Sequence, residues 1–399
     1  MSPAGVPHFD IDPYDPAVMA DPYPMHAQVR AAGPVAWLDR YGVYYVTGHA
    51  LARQVLFDPS TFSSAQGIGL VGYATGLTSM TPSPLLETDP PEHDRFKKAM
   101  SRLMGPATLN RLRTRFEPVA EALAEELVTR GRFDAVTDFV TPFVLDVIAD
   151  MVGLTKADRW QMLVFGELAL ASSGPRNANF EAAVAAVKQH DTMAWVQQAT
   201  ARENLAPDGL GAALFAAADA GELSEAEAQR LVRIFPTAAV DSTITTLANG
   251  LHVLAQRPDQ WQLLHAHPEC ARDAFEEMLR HSLSVQTVFR QATRDVKLGA
   301  AQVKAGQRVG VCLAAANRDP AKWPEPDRYE LLRRPVGHLG FGGGVHACLG
   351  QMIARLEAEL LLKALAKRAA RIELEGEGVK RVNNALTGYA SLPLRVARG

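Results

Sequence analysis

The sequence predicts a mainly α-helical fold with small β-sheets, and three kinds of observation support this prediction. A capping-box pair, Ser224 and Glu227, begins a helix that we expect to run to about Gln256. Short apolar or alternating runs at 35–39 and 43–47 predict a small hairpin. Apolar residues recur at helical spacing in three further segments, which are 109–127, 136–154 and 351–369. The first two of these segments are most simply parts of the core.

Composition and charge are typical of a globular protein. Of the 399 residues, 47% are hydrophobic and 21% are charged, which suffices for a large core. The net charge of −3 gives no reason to expect nucleic acid or an anionic membrane as a partner. The first residues lack a basic segment followed by an apolar one, and no run of about 18 apolar residues occurs, so we expect neither secretion nor a membrane anchor. Cys270, Cys312 and Cys348 are far apart, which predicts a reducing compartment, the cytoplasm.

The stretch from Phe341 to Gly350 combines four glycines with one cysteine. Glycines let the backbone turn tightly and approach a flat group closely. Cys348 lies just before an amphipathic helix, so its thiolate would gain from the helix N-terminus and from loop amides. This arrangement suits an anionic sulfur ligand of a soft metal centre. Two other interpretations compete, because a lone cysteine is usually a small buried hydrophobe and a glycine-rich loop before a helix can hold phosphate.

The middle of the long predicted helix carries an unusual group of residues. Pro236 lies inside the helix, and Asp241 and Ser242 place an acid beside an alcohol. Proline removes one helical hydrogen bond and can bend the axis, so we expect a groove there. An acid and an alcohol lining a groove could deliver protons. Alternatively, the serine hydroxyl bonds back to a helical carbonyl, which is common.

Five motifs occur in order between Asp89 and Gly350. They are Asp-Pro-Pro-x-His (89–93), Ala-Ala-x-Asp-Ser (238–242), Glu-x-x-Arg (277–280), Pro-x-Arg-aromatic (326–329) and Phe-Gly-x-Gly-x-His-x-Cys-x-Gly (341–350). Together they resemble the motifs of the cytochromes P-450. The resemblance implies a single domain over residues 1–399, a triangular helical prism with heme between the long central helix and the helix after Cys348. It also implies that no reductase domain is present.

The resemblance further implies that the cofactor is heme b, with Cys348 as the axial thiolate ligand of its iron. His93, Lys97 and Arg290 take positions that bind the heme propionates, with Lys97 where the family usually has arginine. On the sequence alone, His93 could equally be a surface cap. The loop residues that we expect around the cofactor are Phe341, Gly342, His346 and Gly350.

In the family, the Glu-x-x-Arg pair is buried and structural. Glu277 and Arg280 lie one helical turn apart, so their side chains can meet. The resemblance links them to Arg328, the arginine of the Pro-x-Arg-aromatic motif. Without the resemblance, such a pair would most simply be a solvated surface pair.

The implied chemistry is monooxygenation with O2, for which Asp241 and Ser242 supply protons. The sequence leaves no room for a flavin domain, so a [2Fe-2S]-type ferredoxin and an NAD(P)H ferredoxin reductase are the expected partners of a monomeric enzyme. Two alternatives stay open. A peroxide-driven enzyme would need no ferredoxin, but relatives of that type generally lack the acid. A non-catalytic heme sensor would need neither Asp241 nor Ser242.

For the substrate, four further stretches resemble the bacterial subfamily that oxidises para-substituted benzoates, including 4-methoxybenzoate demethylases. They are 204–212, 317–320, 337–342 and 383–388. Ser83 and Arg233 match residues that bind the carboxylate there, whereas Ile234 replaces a serine and Met80 an arginine. The other expected pocket residues are Leu85, Leu86, Leu170, Ser173, Thr237, Ala238, Val285 and Val288.

Losing two polar groups leaves a carboxylate with fewer partners, which suggests a roomier site. The predicted reaction is O-demethylation or hydroxylation of a para-substituted benzoate, a phenol or a longer arylalkenoic acid. A tailoring hydroxylase that acts on a larger natural product is the alternative.

Overall fold

The computed structural model describes residues 5–73 and 82–399, which form a mainly helical fold with small sheets. The helices are α1 (Pro16–Ala20), α2 (Tyr23–Ala32), α3 (His49–Phe57), α4 (Glu92–Leu103), α5 (Pro106–Arg130), α6 (Thr141–Val152), α7 (Gln161–Ala171), α8 (Ala178–Gln189), α9 (Thr192–Ala199), α10 (Leu210–Asp219), α11 (Glu225–Ala238), α12 (Asp241–Gln256), α13 (Pro258–Ala266), α14 (Ala271–His281), α15 (Leu313–Ala316) and α16 (Gln351–Ala366). The strands are β1 (His8–Phe9), β2 (Val35–Leu38), β3 (Val43–Val46), β4 (Phe62–Ser63), β5 (Arg132–Asp134), β6 (Thr287–Ala292), β7 (Val296–Leu298), β8 (Ala301–Val303), β9 (Arg308–Cys312), β10 (Ala369–Leu374), β11 (Val379–Val382), β12 (Thr387–Ser391) and β13 (Pro393–Arg398).

The largest sheet has the strand order β1-β2-β3-β9-β6-β4. The predicted hairpin is confirmed, because β2 and β3 pair antiparallel with Val35 opposite Val46. Strand β9 continues the sheet parallel to β3 and antiparallel to β6. Three strands in the order β10-β13-β5 form a second sheet, and β11-β12 and β7-β8 form two hairpins. The sheets are small, as the sequence predicted.

The core is built around α12, whose side chains Leu247, Leu251 and Leu254 are fully buried. Gly250 brings α12 close to α14, because a Cβ at this position would collide with the side chain of Met278. Helix α16 packs against α5 and α14, so the segment that follows Cys348 is held by the core. Across residues 5–73 and 82–399, no helix combines the length and the apolar character needed to cross a membrane.

Several predicted elements have different bounds in the structure. The helix expected from Ser224 to Gln256 has both of these ends and the complete capping box, but it is interrupted at Ala239 and Val240. The segment 136–154 is α6 preceded by a π-helical turn, Ala135–Val140. The sequence also predicts two helices in residues 157–200, broken at 172–175; the structure has three, because Asp191, with a φ of 48°, separates α8 from α9.

The Glu-x-x-Arg pair is buried, as the family resemblance implied. Arg280 donates through Nε and Nη2 to the two carboxylate oxygens of Glu277, at 2.8 and 2.7 Å, and both side chains are 0% exposed. The third member of the cluster is Arg333, whose Nε donates to Glu277 Oε1 at 3.0 Å. A buried carboxylate is thereby satisfied by two guanidinium groups, which offsets the cost of its desolvation.

The prediction that Arg328 joins this pair is wrong. Its guanidinium is half exposed and pairs with Glu325 at 3.3 Å. The neighbouring Tyr329 is buried and its hydroxyl donates to the Ala274 carbonyl, so the ring takes the inward position and the Arg328 side chain points outward. Only the backbone carbonyl of Arg328 meets the cluster, where it accepts from Arg280 and Arg333.

This correction can be tested by comparing Arg333→Ala with Arg328→Ala. We expect Arg333→Ala to lower the free energy of unfolding by about 2 kcal/mol, because it removes a charged hydrogen bond from a buried carboxylate. Arg328→Ala should cost less than about 0.5 kcal/mol, as for an ordinary surface position. Urea unfolding of the two variants measures both values. An equal loss in both would contradict the assignment of Arg333.

Candidate functional site

The glycine-rich stretch forms a tight loop that presents Cys348 just before α16. The Cys348 amide donates to the Phe341 carbonyl at 2.8 Å, and the Ala347 amide donates to the Gly344 carbonyl at 3.1 Å. Gly342 and Gly344 have φ angles of 68° and 64°, in the left-handed region that favours glycine. The loop also packs against the end of α3, where a Cβ on Gly344 would collide with the Leu56 carbonyl. The cysteine is therefore held by backbone geometry that only glycines permit.

The sulfur of Cys348 is accessible although protein surrounds it. Burial raises the pKa of its thiol, whereas the amides of Gly350 and Gln351 and the charges of Arg355 and Lys97 act in the opposite direction. Because the Cys348 side chain is exposed to solvent and also surrounded by protein atoms, it lies in a recess of the protein surface.

Four basic side chains gather beside this loop. The rings of His93 and His346 have centroids 4.4 Å apart, and Lys97 donates to the carbonyls of Val345 and Ala347. Arg290 is 4% exposed and donates to the carbonyl of Phe289 at 2.8 Å.

The protein neutralises this basic cluster only in part, because His93 Nδ1 lies 3.0 Å from Asp94 Oδ1. In the part of the chain that the structure describes, neither Lys97 nor Arg290 forms an ion pair, and the buried Nε2 of His346 has no hydrogen-bond partner. Burial lowers the pKa of Arg290 to about 10, and the charge of Asp89 opposes this shift only in part. Buried cations without a carboxylate provide a site for an anionic group.

The helix interruption lies between α11 and α12. Ala238 is exposed although Phe235, Pro236 and Val240 around it are buried. The Ser242 hydroxyl donates to the Ala238 carbonyl at 2.9 Å, so the serine does bond back to the helix. Its oxygen keeps lone pairs that can accept a further hydrogen bond.

Asp241 is 1% exposed, and its carboxylate is bound by Arg381 on β11. Its Oδ1 accepts from Arg381 Nη1 at 2.6 Å, and Arg381 also pairs with Glu167 on α7. Asn383 donates to Glu167 as well. Burial raises the pKa of Asp241, and the Arg381 guanidinium opposes this rise. Among the described residues, Asp241 Oδ2 has no hydrogen-bond partner.

Comparison with known proteins identifies the family. Residues 269–384 match the model of the family described as Cytochrome P450. The chain is 42% identical to cytochrome p450 CYP199A2 of Rhodopseudomonas palustris, over 98% of this chain and 95% of that protein. It is 30% identical to the cytochrome P450 monooxygenase PikC of Streptomyces venezuelae, over 99% and 96%. The solved structure of CYP109Q5 from Chondromyces apiculatus superposes with a TM-score of 0.81 at 26% identity, covering 98% of each chain.

The chain belongs to the cytochrome P450 family. Family membership implies a heme cofactor with a cysteine thiolate ligand, and it makes this P450 a monooxygenase that uses O2 and receives electrons from a redox partner. The fold class predicted from the sequence is confirmed by the same comparisons.

The geometry of this P450 fits the heme. The glycine loop allows close approach of a flat group, and Cys348 offers an accessible sulfur. Apart from residues 1–4 and 74–81, which the structure does not describe, no three His, Cys, Asp or Glu side chains come together as a metal site. These residues fit a porphyrin-bound iron, which Cys348 would hold through its sulfur, and the basic side chains Lys97 and Arg290 match the porphyrin carboxylates.

The predicted substrate residues of the P450 are spread over four elements. On α11, Thr237 donates to the Ile234 carbonyl at 2.9 Å, and Ala238 is exposed at the helix end. Arg233 is half-buried, donates to Thr200 Oγ1 at 3.3 Å, and forms no ion pair with any described residue. Ile234 is half-buried and packs against the main core.

The remaining predicted residues lie on α7, on β6 and on loops. The Ser83 hydroxyl accepts from the Leu86 amide at 3.3 Å, so it caps a local turn. Leu85, in this turn, is buried and its carbonyl bonds to His346, which joins the turn to the cysteine loop. Ser173 accepts from the Leu70 amide at 2.7 Å. Leu170, Val285 and Val288 are half-buried, and Met80 lies outside the described residues.

Sequence reasoning missed the three residues that surround Asp241, namely Glu167, Arg381 and Asn383. Arg381 is 140 residues from Asp241, and it lies on a hairpin in which neither spacing nor a motif indicates a site. Asn383 belongs to the stretch 383–388 that resembles the benzoate-oxidising subfamily, but nothing in the sequence predicts its hydrogen bond to Glu167.

The backbone constraint on the loop can be tested with Gly344→Ala and the matched variant Gly337→Ala. Both residues have positive φ, so alanine costs about 1–2 kcal/mol at either position. Only at Gly344 does a Cβ collide with α3, which adds about 1–3 kcal/mol; at Gly337 nothing lies within 4 Å. We therefore expect Gly344→Ala to retain much less heme, measured as the ferrous carbon monoxide band per protein. Equal retention in both variants would show that packing on α3 is unimportant.

Proposed function

We propose that this P450 oxidises a small para-substituted aromatic acid or phenol, by O-demethylation or hydroxylation, with electrons from a [2Fe-2S]-type ferredoxin and its NAD(P)H-dependent reductase. The observation that carries the proposal is the half-buried guanidinium of Arg233, which no carboxylate of the described residues neutralises. It lies five residues before Ala238, at the end of α11 that leads to the interruption.

Cys348 would hold the heme iron through its thiolate, in the loop that includes Phe341, Gly342 and Gly350. When bound, the heme activates dioxygen so that one oxygen atom enters a C–H bond of the substrate. The propionates would be bound by the basic cluster, which consists of His93, Lys97, Arg290 and His346. Lys97 would act as a single charge, since it cannot make the bidentate contact of an arginine.

Arg233 would recognise the anionic end of the substrate. Burial lowers the pKa of its guanidinium, which means that the charge lacks compensation. Its one hydrogen bond, to Thr200, leaves further N–H donors for a carboxylate. Ile234 adds apolar surface where a hydroxyl would have provided a second polar contact, so the acid would be bound mainly by charge. Ser83, Leu85, Leu86, Leu170, Ser173, Thr237, Val285 and Val288 would shape the rest of the pocket.

Asp241 and Ser242 would supply protons during the reaction. The Ser242 hydroxyl, already donating to Ala238, can accept a hydrogen bond from a water and orient it. Asp241 would hold a proton on Oδ2, the carboxylate oxygen that Arg381 does not bind. Hydroxylation of a methoxy carbon yields a hemiacetal, which breaks into a phenol and formaldehyde and so completes demethylation.

The substrate proposal is tested by titrating three ligands and following the heme spin-state shift: 4-methoxybenzoate, its methyl ester and 4-methoxycinnamate. We expect Arg233→Gln to raise the Kd of both acids by about 10- to 100-fold, equivalent to the roughly 1.5–3 kcal/mol of a charged hydrogen bond. The neutral ester should change by less than about threefold. A uniform change for all three ligands would mean that Arg233 only supports the pocket. A full shift with 4-methoxybenzoate and none with the cinnamate would disprove the roomier site.

The proton-supply role predicts a pH effect. Because burial raises the pKa of Asp241, its carboxyl holds a proton at higher pH than an exposed aspartate, and this proton is lost as pH rises. The wild-type kcat should therefore fall with rising pH. Asp241→Asn should lower kcat about 100-fold and remove the decrease of kcat with rising pH, while the Kd of the substrate stays unchanged. A variant that keeps the wild-type pH profile would exclude this role.

A further inference from the structure

A half-buried ion pair lies behind the cysteine loop, on the side of α16. Arg355 on α16 donates to Glu276 on α14 through Nε and through Nη2, the latter at 3.2 Å. The two side chains are 15% and 18% exposed. Arg355 Nη1 also donates to Gln351 Oε1 at 2.8 Å, in the first turn of the helix. The pair therefore joins two core helices directly below the loop.

His338 completes this group, and its tautomer follows from its contacts. Its Nδ1 accepts from the Gly340 amide at 3.0 Å, so in the neutral ring the proton is on Nε2, which donates to Glu276 Oε2 at 2.8 Å. Burial raises the pKa of Glu276, but the hydrogen bonds from His338 and Arg355 outweigh it and hold the pKa at about 2. Glu276 is therefore an anion at every pH at which the enzyme would work.

This group contacts the loop through one aromatic ring. The guanidinium carbon of Arg355 lies 4.6 Å from the centre of the Phe341 ring, and the ring centres of His338 and Phe341 are 6.1 Å apart. The Phe341 carbonyl accepts the hydrogen bond from the Cys348 amide. A displacement of Phe341 would therefore also displace Cys348 through this hydrogen bond.

We propose that Arg355 and Glu276 are positioning residues that set the reduction potential of the heme, by fixing Phe341 and by holding a positive charge against the Phe341 ring with a negative charge behind it. The inference rests on the proposed role of Cys348 as the axial ligand. Arg355 contacts the loop through Phe341, whereas Glu276 reaches it only through Arg355 and His338. The cation therefore has the larger effect.

The charges predict opposite signs for the two neutral variants. Reduction adds an electron at the heme, so a nearby positive charge favours the reduced state and a negative charge opposes it. Arg355→Gln should lower the potential, and Glu276→Gln should raise it by a smaller amount. A purely structural role would loosen Phe341 in both variants and move both potentials in the same direction.

The test is an anaerobic spectroelectrochemical titration of the substrate-free holoenzyme and its variants. We expect Arg355→Gln to lower the equilibrium constant for one-electron reduction at least twofold, which corresponds to a potential lower by about 18 mV. Glu276→Gln should raise this constant. Matched controls are Arg113→Gln and Glu359→Gln, each of which removes one charge of the bidentate pair, at 2.9 and 3.0 Å, that joins α5 to α16. Each control should change the constant less than twofold. Potentials that move together, or that match the controls, would overturn the proposal.

The ferrous carbon monoxide spectrum of each variant separates this inference from the proposed role of Cys348. If the wild type lacks the thiolate band, that role is wrong; if the band is present but the potentials do not diverge, only this inference fails. Should Arg355→Gln not bind heme, Arg355→Lys keeps the charge and loses the bidentate contact. Its equilibrium constant for one-electron reduction should stay within twofold of the wild-type value, and a larger change would overturn the proposal.

Discussion

The structure depends on one backbone hydrogen bond, from the amide of Cys348 to the carbonyl of Phe341. It closes the glycine loop and places the sulfur at the start of α16. The left-handed conformations of Gly342 and Gly344, and the contact of the loop with α3, leave this turn few alternatives. Because α16 is packed against α5 and α14, the ligand position is rigidly tied to the core. Such rigidity is what a site needs that must hold a reactive group in one geometry.

Charged side chains that are buried or half-buried in this P450 fall into two groups, which differ in whether the protein supplies an opposite charge. Glu277 is surrounded by Arg280 and Arg333, so its charge is compensated and the cluster contributes to a defined core. Lys97, Arg290 and Arg233 have no carboxylate partners among the described residues. Isolated buried cations are unfavourable unless a ligand supplies the anion. The contrast separates a charge cluster that stabilises the fold from the cations to which the proposed function assigns the cofactor and the substrate.

The helix interruption joins the site to distant parts of the chain. Asp241, at the first turn of α12, is held by Arg381 from the C-terminal hairpin and through it by Glu167 from α7. The Arg381 guanidinium therefore couples Asp241, the proposed proton donor, to the position of α7. Since α7 carries Leu170 and leads to Ser173, a substrate that shifts this helix would also change the surroundings of the acid.

The sequence by itself determined the local features of the protein: the capping box at Ser224, the first hairpin, the cysteine loop and the pairing of Glu277 with Arg280. Each depends on residues a few positions apart, so spacing alone specifies the contact. The tertiary structure decided the rest. Arg333 replaced Arg328 because burial of Tyr329 oriented the neighbouring side chain, and Arg381 reached Asp241 across 140 residues. Glu276 met Arg355 because α14 and α16 pack side by side, 79 residues apart in the chain. Such contacts follow from the packing of whole elements, which no local pattern encodes.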